Sequence, residues 1–564
     1  MRGPVAPKDP VEKRPCLYVL LDKILAGAKG TNGIVQDHIY LDGRMLGQVQ
    51  LASGKVDEEI LELLKDVPGT RKLVHSIGVS IVSEEEESKE LEAEFQVVCY
   101  GKSDKYITGS RMEMTVPCNG VEMELQLAAF PINEEDTIIG EFAVTLPKEN
   151  QNFSITVKFY LNDGYHVPEI LVDPPVDFES EAYHGMIANS LVSTGNNYRL
   201  KRVIERAKAG EDVTIAYIGG SITQGAGAKP INTLCYTYRS YEAFAQMFSP
   251  NGGKNIHYVK AGIGGTSSEL GVVRYERDVT NNGEVQPDLV IVEYAVNDEG
   301  DETAGVCYES LVKKILSAKN QPAILLNFAV FMNDFNLQDR LQPIGERYDL
   351  PMVSVKDALL PQYHKNMVVS KRQYFYDIFH PSNIGHHIMA DCLIHLFKMV
   401  DQEEMSTADI NLEQQPVYGN QFSQVVCFDR KNAEEFCKIK NVGFEERDTE
   451  VQCVERNMDL SATPVFLDNW MNAGTKDASF SFQITCKNLL IVMKDSGDAK
   501  FGVADAYVDG KLIRSMNPLE VGWNHSSALI LIDDTKSALH EVEIRMQPGS
   551  EAKKFTIQAF AFTK

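Results

Sequence analysis

Residues 213–223 read VTIAYIGGSIT, a near-continuous apolar run that passes without a break into Gly219-Gly220-Ser221-Ile222-Thr223. A short apolar run closed by glycine suits a strand buried on both faces, as in a parallel sheet. A serine set at the following strand-to-helix turn, behind two glycines, stands at the sheet edge with room for a substrate to approach. Taken alone, Gly-Gly-Ser is also ordinary turn chemistry.

The flanks repeat the pattern. Upstream, Leu200, Val203, Ile204 and Ala207 share one face of a helix predicted to end at Gly210. Downstream come further strands: IHYV (256–259), LVIVEYA (289–295), AILLNFAV (323–330) and MVSV (352–355). Helices are predicted between and after them over Tyr236–Phe248, Val306–Ser317 and Asn383–Val400. Alternating strands and helices give a parallel sheet covered on both faces, with its site at the carboxyl ends of the strands.

Outside this region the period changes. EFQVVCY (94–100), GVEMELQLAAF (120–130), GEFAVTL (140–146) and FSITVKFYL (153–161) are strand-like and punctuated by turn formers. NLLIVMK (488–494), DAYVDGKLI (505–513), SALILID (527–533), EVEIRM (541–546) and FTIQAFAF (555–562) repeat this near the C-terminus, with Asp509-Gly510 a hairpin signal. The expected layout is a polar tail over 1–15, a β-sandwich over 16–180, an α/β domain over 181–403 and a second β-sandwich over 404–564.

Eighty acidic against 55 basic residues give a net charge of −25. That field opposes nucleic acid and anionic lipid, and no basic stripe offsets it. No stretch approaches the ~18 consecutive apolar residues of a membrane helix. The start, MRGPVAPKDPVEKRP, lacks the apolar core of a secretory signal, and the ten cysteines show no CxxC or regular framework. The expectation is a cytoplasmic protein with no nucleic-acid or membrane partner; homo-oligomerisation is left open. The acidic run Glu84–Glu87 reads as a solvated face.

More chemistry-bearing pieces fall at later strand ends. Ala261-Gly262-Ile263-Gly264-Gly265-Thr266 could present a backbone N–H, Val296-Asn297-Asp298 a side-chain amide, and Asp377-Ile378-Phe379-His380-Pro381 a histidine beside a carboxylate. A serine, two non-basic donors and an oriented histidine are the parts that acyl transfer requires. GIGGTS lacks the closing glycine of a dinucleotide fingerprint, and no GxxxxGK[ST] loop is present. His386 and His387 open a helix whose Ile388, Cys392, Leu393 and Leu396 look like a core face, so a packing role is preferred over metal. Glu293 reads as a buried, paired carboxylate, and Asp298 as a brace for the Asn297 loop.

The blocks GGSIT, AGIGGTSS, EYAVND and DIFHPSNIGH resemble, in order, the four signature blocks of the SGNH/GDSL hydrolase superfamily over about residues 190–400. The resemblance implies a flavodoxin-like three-layer α/β/α fold. It makes Ser221 the nucleophile, His380 the base and Asp377 the carboxylate that holds the imidazole. Gly265 and Asn297, with the Ser221 N–H, match the oxyanion-hole donors. No metal or organic cofactor is implied. Many members carry Gly-Asp-Ser at the nucleophile, whereas Gly220 stands here in place of the Asp, a departure that bears on the support of Ser221.

β-Sandwiches flanking such a domain are similar to the arrangement in bacterial esterases that deacetylate plant polysaccharides. The function expected is therefore hydrolysis of O-acetyl esters on plant-polysaccharide-derived oligosaccharides. Alternatives are a lipase- or thioesterase-like hydrolase, or a carbohydrate-binding protein on a decayed scaffold. Trp470 and Trp523, the only tryptophans, lie in the C-terminal region. Core packing is favoured for Trp470, whereas for Trp523 core packing and sugar binding weigh equally; it is placed at the sugar site, on a loop expected to fold back near Ser221.

Overall fold

The computed structural model describes residues 14–29, 33–129, 133–167, 173–250, 252–364, 368–455 and 462–564. Most of the polar N-terminal stretch read above thus lies outside the described residues. The chain divides into two compact units. One comprises Met1–Val176 with Gly227–Pro230 and Ser370–Gly385; the other comprises Asp177–Ala226, Ile231–Val369 and His386–Lys564.

In the first unit, a four-stranded and a five-stranded antiparallel sheet enclose a single core. Phe95 and Phe142 of the larger sheet lie 5.2 Å apart, and Phe142 meets Phe159 of the smaller sheet edge-on at 6.5 Å. This is the expected β-sandwich. Glu84 to Glu87 are exposed, as a solvated run should be.

The second unit contains the α/β domain. Its sheet runs, edge to edge, Leu191–Ser193, Met352–Ser354, Ala323–Phe328, Leu289–Glu293, Val213–Gly219 and Ile256–Gly262. Every pairing is parallel except that of the edge strand Leu191–Ser193. Strand alternation sorts the side chains to two faces. Ala216 and Ile218 join the core made with Leu270, Val273, Leu311 and Ile344, whereas Tyr217 meets Tyr236 of the helix Tyr236–Phe248. Covering both faces explains why the central strands are apolar throughout, each large side chain contributing about 1.5–3 kcal/mol on burial. The helix Tyr198–Lys208 buries the four residues read as its core face. Helices Tyr236–Phe248 and Asn383–Gln402 agree with the sequence reading to within two residues.

The C-terminal region is an antiparallel β domain around an aromatic core of Trp470, Phe428, Phe480, Phe482 and Phe560. Its longest strands, Ser479–Asp495 and His525–Met546, pair along most of their length with register shifts near Cys486 and Leu489. Asp509 and Gly510 have φ of 51° and 75°, the two left-handed residues of a type I′ hairpin between Ala504–Val508 and Lys511–Met516.

A Cβ at Gly510 would meet nothing within 4 Å, so Gly510→Ala carries only the backbone penalty of its positive φ. It should lower stability by about 1–2 kcal/mol. Gly185→Ala, equally unobstructed but at ordinary helical φ in Glu181–Ala188, should stabilise by about 0.5–1 kcal/mol. Thermal melts of the two variants should move in opposite directions.

Candidate active site

Ser221 opens the short helix Ser221–Gln224 directly after the strand Val213–Gly219. The Gly219 carbonyl before it accepts from the Ile263 N–H at 3.1 Å and from the Arg274 guanidinium at 3.0 Å. Arg274 is wholly buried and is paired with Asp278 at 3.1 Å. The glycines here are demanded by close approach. A Cβ at Gly219 would fall onto the Thr223 hydroxyl and the Glu293 carbonyl, one at Gly220 onto the Asn297 amide, and one at Gly262 onto the Gln224 backbone. The departure at Gly220 thus has a physical reason: the Asn297 side chain fills the space that a residue with a side chain would need.

Gly264 is the other close neighbour, since a Cβ there would lie 3.8 Å from that of Ser221. Gly265 follows with φ of 72°. Its N–H has no acceptor among the described residues, and neither has the Asn297 Nδ2. Asn297 Oδ1 is buried without a partner, so this amide is held by packing against Gly220. Two donors with no intramolecular use therefore flank the Ser221 turn. Trp523 lies against the same loop, its Cζ2 2.8 Å from where a Gly265 Cβ would be, while keeping 39% of its surface exposed.

Buried carboxyls support these loops. Asp298 accepts the Ser268 N–H at 2.8 Å, tying the Asn297 loop to the helix Ser268–Asp278, and burial pushes its pKa well above the usual carboxylate range. Glu293 is fully buried and accepts from the Thr223 hydroxyl at 3.1 Å; burial raises its pKa to about 7. Both match the bracing and paired roles read from sequence.

Asp377 and His380 lie in the first unit, in a loop closed by the Phe375–Pro381 bridge and by the Tyr376 N–H to the His380 carbonyl at 2.8 Å. The three-residue spacing lets one Asp377 oxygen accept the Phe379 and His380 N–H groups, both at 2.8 Å. The other oxygen faces His380 Nδ1 at 2.9 Å and accepts from Arg44 at 2.8 Å. With Nδ1 donating to the carboxylate, the Nε2 lone pair is the basic end of the ring. Burial would raise the Asp377 pKa, but His380, Arg44 and the backbone donors outweigh it and hold the carboxyl well below its usual range. The stability this contributes is therefore present above the ordinary carboxylate pKa of about 4 and is lost only as pH falls through the lower folded value.

Arg44 was not legible in sequence: it is 333 residues from Asp377, and nothing in LDGRMLG signals a partner. Lys23 was also missed. It is buried, donates to the Phe375 carbonyl at 2.8 Å, and has its pKa lowered to about 7 by burial, against the opposing charge of Asp377. A cavity of about 480 Å³ in the same unit is lined by Lys23, Asp173, Arg372, Gln373, Tyr376 and Asn383.

His386, His387 and Trp470 are structural. His386 is fully buried between the Tyr236 N–H at 3.2 Å and the Ala226 carbonyl at 3.0 Å, and His387 stacks on Phe178 at 4.3 Å. Trp470 packs on Phe480 at 5.0 Å. Among the described residues no group of His, Cys, Asp or Glu could hold a metal ion, and no helix is long and apolar enough to cross a membrane.

The packing makes a direct prediction. Gly220→Ala must displace the Asn297 amide and should cost about 1–3 kcal/mol. Gly264→Ala meets only the end of the Gln224 side chain at 3.3 Å and ordinary contact with Ser221, so its melting temperature should fall clearly less.

Residues 217–388 match the GDSL-like Lipase/Acylhydrolase family. Two crystal structures of a two-domain esterase active on acetylated mannans, one co-crystallized with mannopentaose, are each 29% identical to this chain. They cover 67% of it, and 98% and 99% of their own chains, with TM-scores of 0.57 and 0.58. No curated protein matches the chain. The family match spans the Ser221 turn, the Gly264–Gly265 and Asn297 loops and the Asp377–His380 loop. With this match to the GDSL-like lipase/acylhydrolase family and this likeness to solved esterases, the chain is a carboxylic ester hydrolase.

Proposed function

We propose that the protein is a serine esterase that removes O-acetyl groups from plant-polysaccharide-derived oligosaccharides, in the cytoplasm, through an acyl-enzyme on Ser221. The observation that carries this reading is the pair of unspent donors, Gly265 N–H and Asn297 Nδ2, beside a serine at a strand-to-helix turn. Groups aimed at developing negative charge must be free of intramolecular acceptors, and they do most when their geometry is set in advance.

In the proposed reaction, His380 Nε2 takes the Ser221 hydroxyl proton as Oγ attacks the acetyl carbonyl. The oxyanion is held by the Ser221 and Gly265 N–H groups and by the Asn297 amide. Collapse breaks the ester C–O bond, and the imidazolium returns its proton to the departing sugar hydroxyl. Water, deprotonated by His380, then attacks the acetyl-enzyme; collapse releases acetic acid, ionised to acetate, as the imidazolium returns its proton to Ser221 Oγ. Asp377, kept ionised by Arg44 and its backbone donors, would hold the ring and balance its transient charge.

The mannan activity of the 29% identical esterase supports an acetylated oligosaccharide as substrate. So does the half-exposed Trp523 ring beside Gly265, since the apolar face of a pyranose stacks on such a ring. Lys23, Arg372 and Asn383 in the lining of the cavity have the hydrogen-bonding capacity that sugar hydroxyls use.

Ser221→Ala should lower kcat on an aryl acetate by about 10⁴-fold or more with the fold intact. Asp377→Asn should lower it by about 10²–10⁴-fold, and no further than His380→Ala does. Near-normal turnover in folded Ser221→Ala would sink the reading, while an unaffected Asp377→Asn would reduce the working unit to Ser221 and His380.

Trp523→Ala should raise KM for acetylated oligosaccharides by the equivalent of about 1–3 kcal/mol and leave aryl acetate within a few-fold. Kinetics with both substrates on one preparation check this: equal losses on both would make Trp523 structural only.

A further inference from the structure

The C-terminal β domain grips the Gly264–Gly265 loop with two polar side chains. Gln452 Nε2 donates to the Gly264 carbonyl at 2.7 Å, while its Oε1 accepts the Ser526 N–H at 3.1 Å. Only this amide orientation satisfies both neighbours, because a carbonyl cannot donate and an N–H cannot accept. His525 Nε2 meets the next carbonyl, that of Gly265, at 3.0 Å. The Asp495 carboxylate faces His525 Nδ1 at 2.8 Å and also accepts from the Ser527 hydroxyl at 2.6 Å, so the ring donates to both Asp495 and the Gly265 carbonyl in its doubly protonated form, with the carboxylate as counter-charge. Gln452, Asp495 and His525 are all buried, with 9%, 2% and 8% of their surfaces exposed, so these contacts compete little with water.

The chemistry lies in which carbonyls are held. The Gly264 carbonyl and the Gly265 N–H belong to one trans peptide and point in opposite directions across its plane. Fixing the carbonyl therefore fixes the N–H, and a donor on the carbonyl oxygen polarises the same amide and strengthens its N–H. Clamping the Gly265 carbonyl as well pins the peptide planes on both sides of the Gly265 Cα, a residue at φ of 72° with the backbone freedom of a glycine. Without these two side chains, nothing else among the described hydrogen bonds holds either carbonyl.

We infer that Gln452, and His525 oriented by Asp495, are positioning residues for the reaction: Gln452 aims and polarises the Gly265 N–H and His525 pins the peptide that follows it, so that the C-terminal domain completes the oxyanion site. This rests on the proposed role of Gly265 as an oxyanion donor. It goes beyond the proposed sugar-binding role of Trp523, because it predicts a defect on substrates that carry no sugar.

The test measures aryl acetate hydrolysis by the full chain and its Gln452→Met, His525→Ala and His525→Gln variants. Each rate is divided by the active sites titrated with a fluorophosphonate, so that a loss of folded enzyme does not count. Gln452→Met keeps the length and removes the donor; its kcat per site should fall about 10–10²-fold with KM within two- to three-fold, because the charge develops only in the transition state. His525→Ala should behave alike, and His525→Gln, which retains an N–H, should recover much of the loss. A kcat per site unchanged in both Gln452→Met and His525→Ala would overturn the inference, as would a loss appearing wholly in KM. Ser221→Ala, assayed alongside, separates the two levels. If it stays active, the esterase reading has failed. If it is inactive while Gln452→Met and His525→Ala turn over normally, only the positioning role has failed.

Discussion

Three backbone segments meet around Ser221 with no room for a single added carbon. The strand end at Gly219–Gly220, the Gln224 turn against Gly262, and the Asn297 side chain against Gly220 interlock so tightly that a Cβ at any of the three glycines would strike a neighbour. Contacts of this kind leave little freedom, because protein interiors are packed as densely as crystals of small molecules. The parallel sheet supplies the coarse placement by ending its strands at one edge. The glycines supply the fine placement, letting the turns that carry the Ser221 hydroxyl, the Gly265 N–H and the Asn297 amide pack closely.

The polar groups around this junction divide into those that are spent and those that are free. Arg274 is used on Asp278, Tyr294 and the Gly219 carbonyl, Asp298 on the Ser268 N–H, and Glu293 on Thr223. Each satisfies a buried group and stiffens a loop. Arg274 Nε, Glu293 Oε1 and Asp298 Oδ2 stay without partners; the N–H of Gly265 and the amide of Asn297 are idle as well, and on the proposed reading their idleness is their use. The C-terminal domain fits the same logic. In sequence it reads as an appended binding module, yet Gln452, His525 and Trp523 are all applied to the Gly264–Gly265 loop. In the first unit Arg44 does for Asp377 what a second carboxylate could not, keeping it ionised beside a histidine.

Much of this was legible from sequence because it is local. The central strands are continuous apolar runs, the hairpin at Asp509-Gly510 announces itself in two residues, and the Asp377–His380 pair is a three-residue spacing whose hydrogen bonds close within one loop. The glycines could be read as turn formers, but their reason could not. That Gly220 makes room for Asn297 depends on two strand ends 77 positions apart in sequence meeting in space. Arg44, Gln452 and His525 were invisible for the same reason: each acts on a backbone or carboxylate group far away in the chain, and no local period or spacing encodes such a contact. Trp523 was reachable only as an aromatic among turn residues, a pattern that core packing also produces, as Trp470 illustrates.

The most direct measurement of the central claim is to trap the covalent intermediate. The enzyme is mixed with an excess of an aryl acetate, quenched in acid during turnover, and its peptides are mapped by mass spectrometry. The account predicts one acetyl group on the peptide containing Ser221, and none there in Ser221→Ala. Steady hydrolysis with no acetyl group on the protein, or with the acetyl group on another residue, would contradict it.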